Sequence, residues 1–309
     1  MFICQGCSSR FTFQHKQFSP YAYNLYVVNG FLNAADTRPN IVHLQWNLND
    51  CIIKYEDVKL ERELNRGNFG VVYLGFMRSM KVAVKKSRTT TNDEAFCEEA
   101  RVMHILSHPR IVRFLGFCCD APDGRALIKT EYMPNGALLD YLHTAVRQSL
   151  TYQHLTSIID QVVKTMVCLE EVRVVHRDLR AANVLVDADG SVKWTAPEAM
   201  KKGYEPNTKA DAWSFGVLMF EILIYGKMPF EEYTSTSQLQ KFLSEGGRLP
   251  SSQSLGFQCE DSVYSIMKTC WEPRTEMRPS FHTLSRDIEQ SIISREGLYD
   301  TRWNERMTS

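Results

Sequence analysis

The residues best suited to chemistry lie in Val175-His176-Arg177-Asp178-Leu179-Arg180-Ala181-Ala182-Asn183. Asp178 and Asn183 stand five residues apart. On a tight loop that spacing lets a carboxylate accept or orient a hydroxyl proton while an amide holds a metal that bridges phosphates. A second constellation is Leu64-Asn65-Arg66-Gly67-Asn68-Phe69-Gly70-Val71-Val72. Glycines there let backbone N–H groups approach phosphate oxygens with no Cβ in the way. Alone, such a turn is an ordinary glycine-bearing hairpin. Its position gives it meaning, because Val82-Ala83-Val84-Lys85 follows. A lysine ending an apolar strand usually snorkels to the surface. Lys85 instead precedes a helical segment bearing Glu99, and a cation held by a carboxylate is a device for fixing phosphates.

The elements that must position these residues can be read from periodicity. Val58 to Leu64 alternates apolar and polar, the pattern of a half-buried strand. Val71-Val72-Tyr73 and Lys81 to Lys85 read as two more strands, and Ile111 to Cys118 and Ala126 to Tyr132 as further apolar segments. Phe96, Ala100, Met103 and Leu106 fall at helix spacing over Glu94 to Leu106, before His108-Pro109. Pro134-Asn135-Gly136 marks a change to mainly helical periodicity, over Leu138–Thr144, Leu155–Glu171, Lys209–Ile224, Ser237–Leu243, Val263–Trp271 and Phe281–Ile293. Val184 to Val192 reads as two short strands around an Asp189-Gly190 turn. The expected organisation is α+β and bilobal: an unassigned N-terminal segment 1–55, a domain 56–289 with a β-rich lobe 56–133 and an α-rich lobe 134–289, and a tail 290–309.

Composition narrows the function classes. The 309 residues carry 36 basic and 36 acidic side chains, so no net charge favours nucleic acid or an anionic membrane. No apolar run approaches the ~20 residues that span a bilayer; Val217 to Ile224 is short and holds Glu221. The first residues read as neither a secretory signal nor a myristoylation site. The nine cysteines are scattered and read as thiols in a reducing compartment. Cys4-x-x-Cys7 has no second pair at zinc spacing, and His15 is the only candidate ligand nearby.

With these motifs together, the chain resembles a eukaryotic protein kinase over about Val58 to Ile288, and among kinases the cytoplasmic, non-receptor protein-tyrosine kinases. Arg180-Ala181-Ala182 is similar to the Src-like group, Lys193-Trp194-Thr195-Ala196-Pro197-Glu198 is a tyrosine-kinase form of the A-P-E segment, and the glycine loop resembles the Fer/Fes group. The resemblance implies ATP and Mg²⁺ as cofactors, a tyrosine-bearing protein substrate, a cytoplasmic location and a monomer. It implies that Leu64, Gly67, Phe69, Gly70, Val72 and Ala83 cover the nucleotide, that Lys85 binds phosphates with Glu99 as its partner, and that Thr130 is the gatekeeper. It makes Glu131 to Met133 the adenine-binding backbone. Asp178 is the implied catalytic base, Arg177 the partner of a phosphorylated activation loop and Asn183 a metal ligand. Asp211 to Gly216 would support the catalytic loop, and Glu198 would pair with Arg278.

Two departures stand out. The D-F-G motif and nearly all of the activation loop are missing: 11 steps separate Asn183 from Trp194, where the family pattern needs roughly 35 to 40. Only Asn183 would then remain of the two metal-holding residues. Asp189-Gly190 reads as a turn, not as a substitute. Asn65 occupies the place of the first loop glycine and tolerates a left-handed backbone there. Three readings follow: an ATP-dependent tyrosine kinase, a catalytically dead interaction module with the kinase fold, or a product truncated by splicing.

Overall fold

The computed structural model describes residues 25–27, 30–34, 51–67, 70–88, 94–106, 111–144, 150–186 and 207–307. The chain divides into two units, Met1–Pro134 and Asn135–Ser309.

In the first unit, β1 (Leu25–Val27) and β2 (Gly30–Ala34) pair antiparallel. The main sheet comprises β3 (Lys59–Gly67), β4 (Gly70–Met77), β5 (Met80–Lys86), β6 (Phe114–Cys118) and β7 (Leu127–Glu131). All its pairings are antiparallel, in the order β3-β4-β5-β7-β6. β3 runs past the expected Leu64, because its ladder with β4 continues to Gly67 opposite Gly70. Helix α1 (Glu94–Ile105) lays Phe96, Ala100 and Met103 on one sheet face with Phe117, Ala126 and Ile128. The other face gathers Val58, Val82, Val84, Cys118 and Leu127. β5 is therefore covered on both sides, which is why Val82-Ala83-Val84 reads as a continuous apolar run. Residues just before 56 belong to this packing: Cys51 is in the helix-side cluster, and Ile53 N–H donates to Phe117 O at 2.8 Å. One thiol departs from expectation. Cys119 is disulfide-bonded, whereas Cys51, Cys97, Cys118, Cys168, Cys259 and Cys270 are free.

The second unit holds α2 (Leu138–His143), α3 (Tyr152–Glu171), β8 (Val174–Val175), α4 (Thr208–Leu223), α5 (Thr236–Ser244), α6 (Asp261–Cys270) and α7 (Phe281–Met307). α3 starts at a capping box between Thr151 and His154 and buries Leu155, Ile159, Val162, Met166 and Leu169 along one stripe. α4 is buried on every side from Ala210 to Leu223, as a central helix must be. Asn207 caps it, its Oδ1 accepting from Lys209 and Ala210 N–H. Gly216 permits close packing on α6, since a Cβ there would lie 2.6 Å from Cys270 Cβ and 2.7 Å from Trp271 Nε1. α7 continues well beyond the expected Ile293, so most of the presumed tail is helical. The first arm of the hairpin expected after Val184 pairs as an isolated bridge, Leu185 with Ala137. Its turn and second arm lie outside the described residues.

Candidate active site

On the sheet, register decides which side chains converge. Val72 faces Lys85, Lys85 faces Ile128, and Ala83 lies between Leu74 and Thr130. Residues directly opposite in an antiparallel ladder point to the same face, so Val72, Ala83, Lys85 and Thr130 share one side, the one α1 covers at Ile128. Lys85 Nζ donates to both carboxylate oxygens of Glu99, at 2.7 and 2.8 Å. The expectation of ion-pair reach is met, and Glu99 is turned inward, 2% exposed.

Leu64 and Gly67 are on β3 and Gly70 begins β4; Phe69 lies outside the described residues. Gly70 has φ +151°, and a Cβ there would meet Lys86 O at 2.5 Å, so glycine is required by both conformation and contact. Asn65 departs from expectation. It is an ordinary strand residue opposite Val72, and the irregularities of β3 fall between Leu60 and Arg62 and between Glu63 and Asn65. Past Thr130, Glu131 N–H donates to Arg113 O at 3.0 Å, and its side chain accepts from Arg113 N–H at 2.6 Å. The backbone of Met133 makes no hydrogen bond among the described residues.

In the second unit the loop after β8 is held from below by Asp211, in the first turn of α4. Its carboxylate accepts His176 N–H at 2.5 Å and Arg177 N–H at 2.8 Å. Arg177 is left-handed at φ +62°, a strained conformation that persists where surrounding contacts over-determine it; the Asp211 carboxylate supplies them. Asp178 N–H donates to His176 Nδ1 at 3.2 Å. Asn183, on the short turn Ala181–Asn183, clasps Asp178: its Nδ2 donates to the Asp178 carbonyl at 2.9 Å and to Oδ2 at 2.8 Å. Burial pushes the His176 imidazole down to about 4, so it is neutral near pH 7. Burial also pushes Asp211 up to about 7, against the pull of the two N–H donors.

Deeper, the Trp213 ring lies between Arg248 at 4.8 Å and Arg278 at 4.9 Å. Arg278 is 2% exposed, and its guanidinium donates to Glu272 O and Lys209 O. The Glu198 pairing expected for it lies outside the described residues, as does the whole A-P-E stretch. Motif reading had no means of finding the Arg248–Trp213 contact, since those residues are far apart in sequence and each is unremarkable alone.

A family model described as protein tyrosine and serine/threonine kinase matches residues 58–193 and 187–288. The chain belongs to this kinase family. Its fold is the family's α+β bilobal one, with a five-stranded antiparallel sheet in one lobe and a helical second lobe. Among curated relatives, "Tyrosine-protein kinase SPK-1" of Girardia tigrina is 33% identical over 296 aligned positions, covering 86% of this chain and 59% of the relative. The chain thus spans a little under two thirds of that relative's length. No described helix is long and apolar enough to cross a membrane.

Proposed function

We propose that this kinase-family chain binds ATP through its first unit but transfers phosphate poorly or not at all. The observation that carries this is the break in the family match. The two matched segments meet at 187–193, where the D-F-G aspartate and activation loop belong. The alignment with the Girardia tigrina kinase supports a missing internal segment. Eighty-six per cent of 309 residues is about 266, some 30 fewer than the 296 positions aligned.

The residues present suit the nucleotide. Lys85, oriented by Glu99, is a cation for the α/β-phosphates, and the Met133 backbone has its donor and acceptor available for adenine. They do not suit the metal. The family holds Mg²⁺ between protein and phosphates with the D-F-G aspartate and the catalytic-loop asparagine, and of these two the sequence keeps only Asn183. Asn183 contributes a neutral amide, its Nδ2 donating to Asp178, and supplies no anionic charge to a metal. The resemblance supports Asp178 as the catalytic base and Arg177 as a partner for a phosphorylated loop.

Tyrosine as acceptor rests on Arg180-Ala181-Ala182 and on the relative's name. A monomeric, cytoplasmic protein rests on the resemblance to non-receptor kinases. With ATP, Mg²⁺ and a tyrosine-containing polymer, the purified chain should yield little or no phosphotyrosine. Robust product that disappears in Asp178→Asn would overturn the proposal. The second reading, an active kinase seen through a truncated product, is favoured by the sharp edges of the deletion. Sequencing the transcript across the codons for Lys193 and Trp194 tests it.

A further inference from the structure

Lys129 is the middle residue of β7, and its side chain is fully buried, 0% exposed. It sits opposite Val84, and strand alternation points it away from the face that holds Lys85 and Thr130. Its surroundings are the apolar cluster of Val58, Val82, Val84 and Leu127. Among the described residues its ammonium has one hydrogen-bond partner, the Met77 thioether, Nζ to Sδ 2.7 Å. An ammonium has three donors and a thioether is a weak acceptor. The core thus contains a strong donor whose capacity is largely unused, an arrangement that disfavours burial. Burial accordingly lowers its proton affinity, and the opposing pull of Asp57 and Cys118 is smaller.

Met77 closes β4. It pairs with Met80 across the Arg78-Ser79 turn and is only partly buried, so part of the residue reaches the sheet edge, where a small oxidant can approach. We propose that Met77 is a site of oxidative modification by a peroxide, and that Lys129 receives the sulfoxide it forms. A sulfur lone pair attacks one peroxide oxygen, and the S–O bond forms as the O–O bond breaks. Sulfur is oxidised by two electrons and the peroxide is reduced. The departing hydroxide takes up the proton that the S–OH⁺ group loses, so the products are the sulfoxide and water. In most cores a sulfoxide is disruptive, because a polar group replaces an apolar one. At Met77 the new oxygen is a strong acceptor beside a buried ammonium that lacks one. Met228 and Met277 are more exposed, 64% and 55%, but exposure alone gives their sulfoxides no such partner. This inference concerns the opposite sheet face and is independent of the nucleotide chemistry.

The test compares the full chain with Met77→Leu, Lys129→Leu and the double variant, each before and after hydrogen peroxide. Oxidation is mapped by peptide mass spectrometry and stability by thermal melting. The difference between the parent and Met77→Leu isolates the effect of Met77 from the other methionines. With Lys129 present, oxidation at Met77 should leave the melting temperature unchanged or raise it. In Lys129→Leu the same oxidation should lower it by about 2 °C or more. Met77→Gln, which supplies an amide oxygen without oxidant, should follow the same pattern: neutral or stabilising with Lys129, destabilising with Leu. The proposal is overturned if Met77 remains a thioether at doses that convert Met80, or if the shift has the same sign and size in both backgrounds.

Discussion

Lys85 Nζ lies 2.7 Å from one Glu99 oxygen and 2.8 Å from the other, and the glutamate side chain is only 3% exposed. In this family α1 can hold its glutamate inward or swing it away. Here the inward arrangement is kept although the D-F-G segment is missing. The packing of Phe96, Ala100 and Met103 against Phe117 and Ile128 suffices to hold α1 in place.

That pair should respond asymmetrically to mutation. Lys85→Met strands a buried carboxylate, a change that typically costs about 3–5 kcal/mol. Lys85→Met combined with Glu99→Leu removes the charge with its partner and should return stability close to the parent's or above it. Urea unfolding of the three proteins measures this. Equal losses in the single and double variants would show that the pair is not buried as described.

The catalytic-loop core should show two opposing pH dependences. His176 is depressed to about 4 from an ordinary 6.5, so its neutral form stabilises the fold above pH 6.5, and this contribution is lost as pH falls toward 4. Asp211 is raised from an ordinary 3.8 to about 7, so its contribution is full below pH 3.8 and is lost as pH rises to 7. The two nearly cancel between pH 4 and 6.5. Compared with the parent, His176→Asn should lose stability progressively as pH rises through that window, and Asp211→Asn should gain it. Chemical denaturation at four or five pH values tests the signs.

Gly70→Ala should be more damaging than Gly136→Ala. Both glycines have positive φ, which costs an alanine about 1–2 kcal/mol in the left-handed region. At Gly136 nothing lies within 4 Å of a new Cβ, whereas at Gly70 it would meet the Lys86 carbonyl at 2.5 Å. Only Gly70→Ala must therefore displace β5, adding a further loss of about 1–3 kcal/mol. Similar melting temperatures for the two variants would contradict this.

Much of the site was legible because its parts are local. The Gly67–Gly70 turn, the strand ending in Lys85 and the Asp178–Asn183 spacing are each a short run with one physical purpose. Glu99 follows from the resemblance to the kinase family, which makes it the partner of Lys85. The parts that were not legible depend on tertiary packing. Cys51 and Ile53 look like the end of an irregular stretch, and only their bonds to Phe117 make them part of the sheet. Nothing in Leu127-Ile128-Lys129 shows that the lysine is enclosed, since a charged residue in a strand ordinarily faces water. The tolerance of Asn65 for a left-handed backbone is not used, because the ladder with β4 pairs it with Val72 and the shifts in register fall at Leu60/Arg62 and Glu63/Asn65.

The nucleotide phosphates are expected to meet Lys85 without a metal bridge, and melting in the presence of ATP measures this. A ligand that binds only the folded state raises stability by RT ln(1 + [L]/Kd). The shift with millimolar ATP should be measured in Mg²⁺ and in EDTA, for the parent and for Lys85→Met/Glu99→Leu, the variant expected to stay folded. The parent should show a small shift, nearly equal with metal or chelator, and the variant should largely lose it. A shift that grows by about 1.4 kcal/mol or more when Mg²⁺ is added, a tenfold gain in affinity, would show an intact metal site and contradict the account.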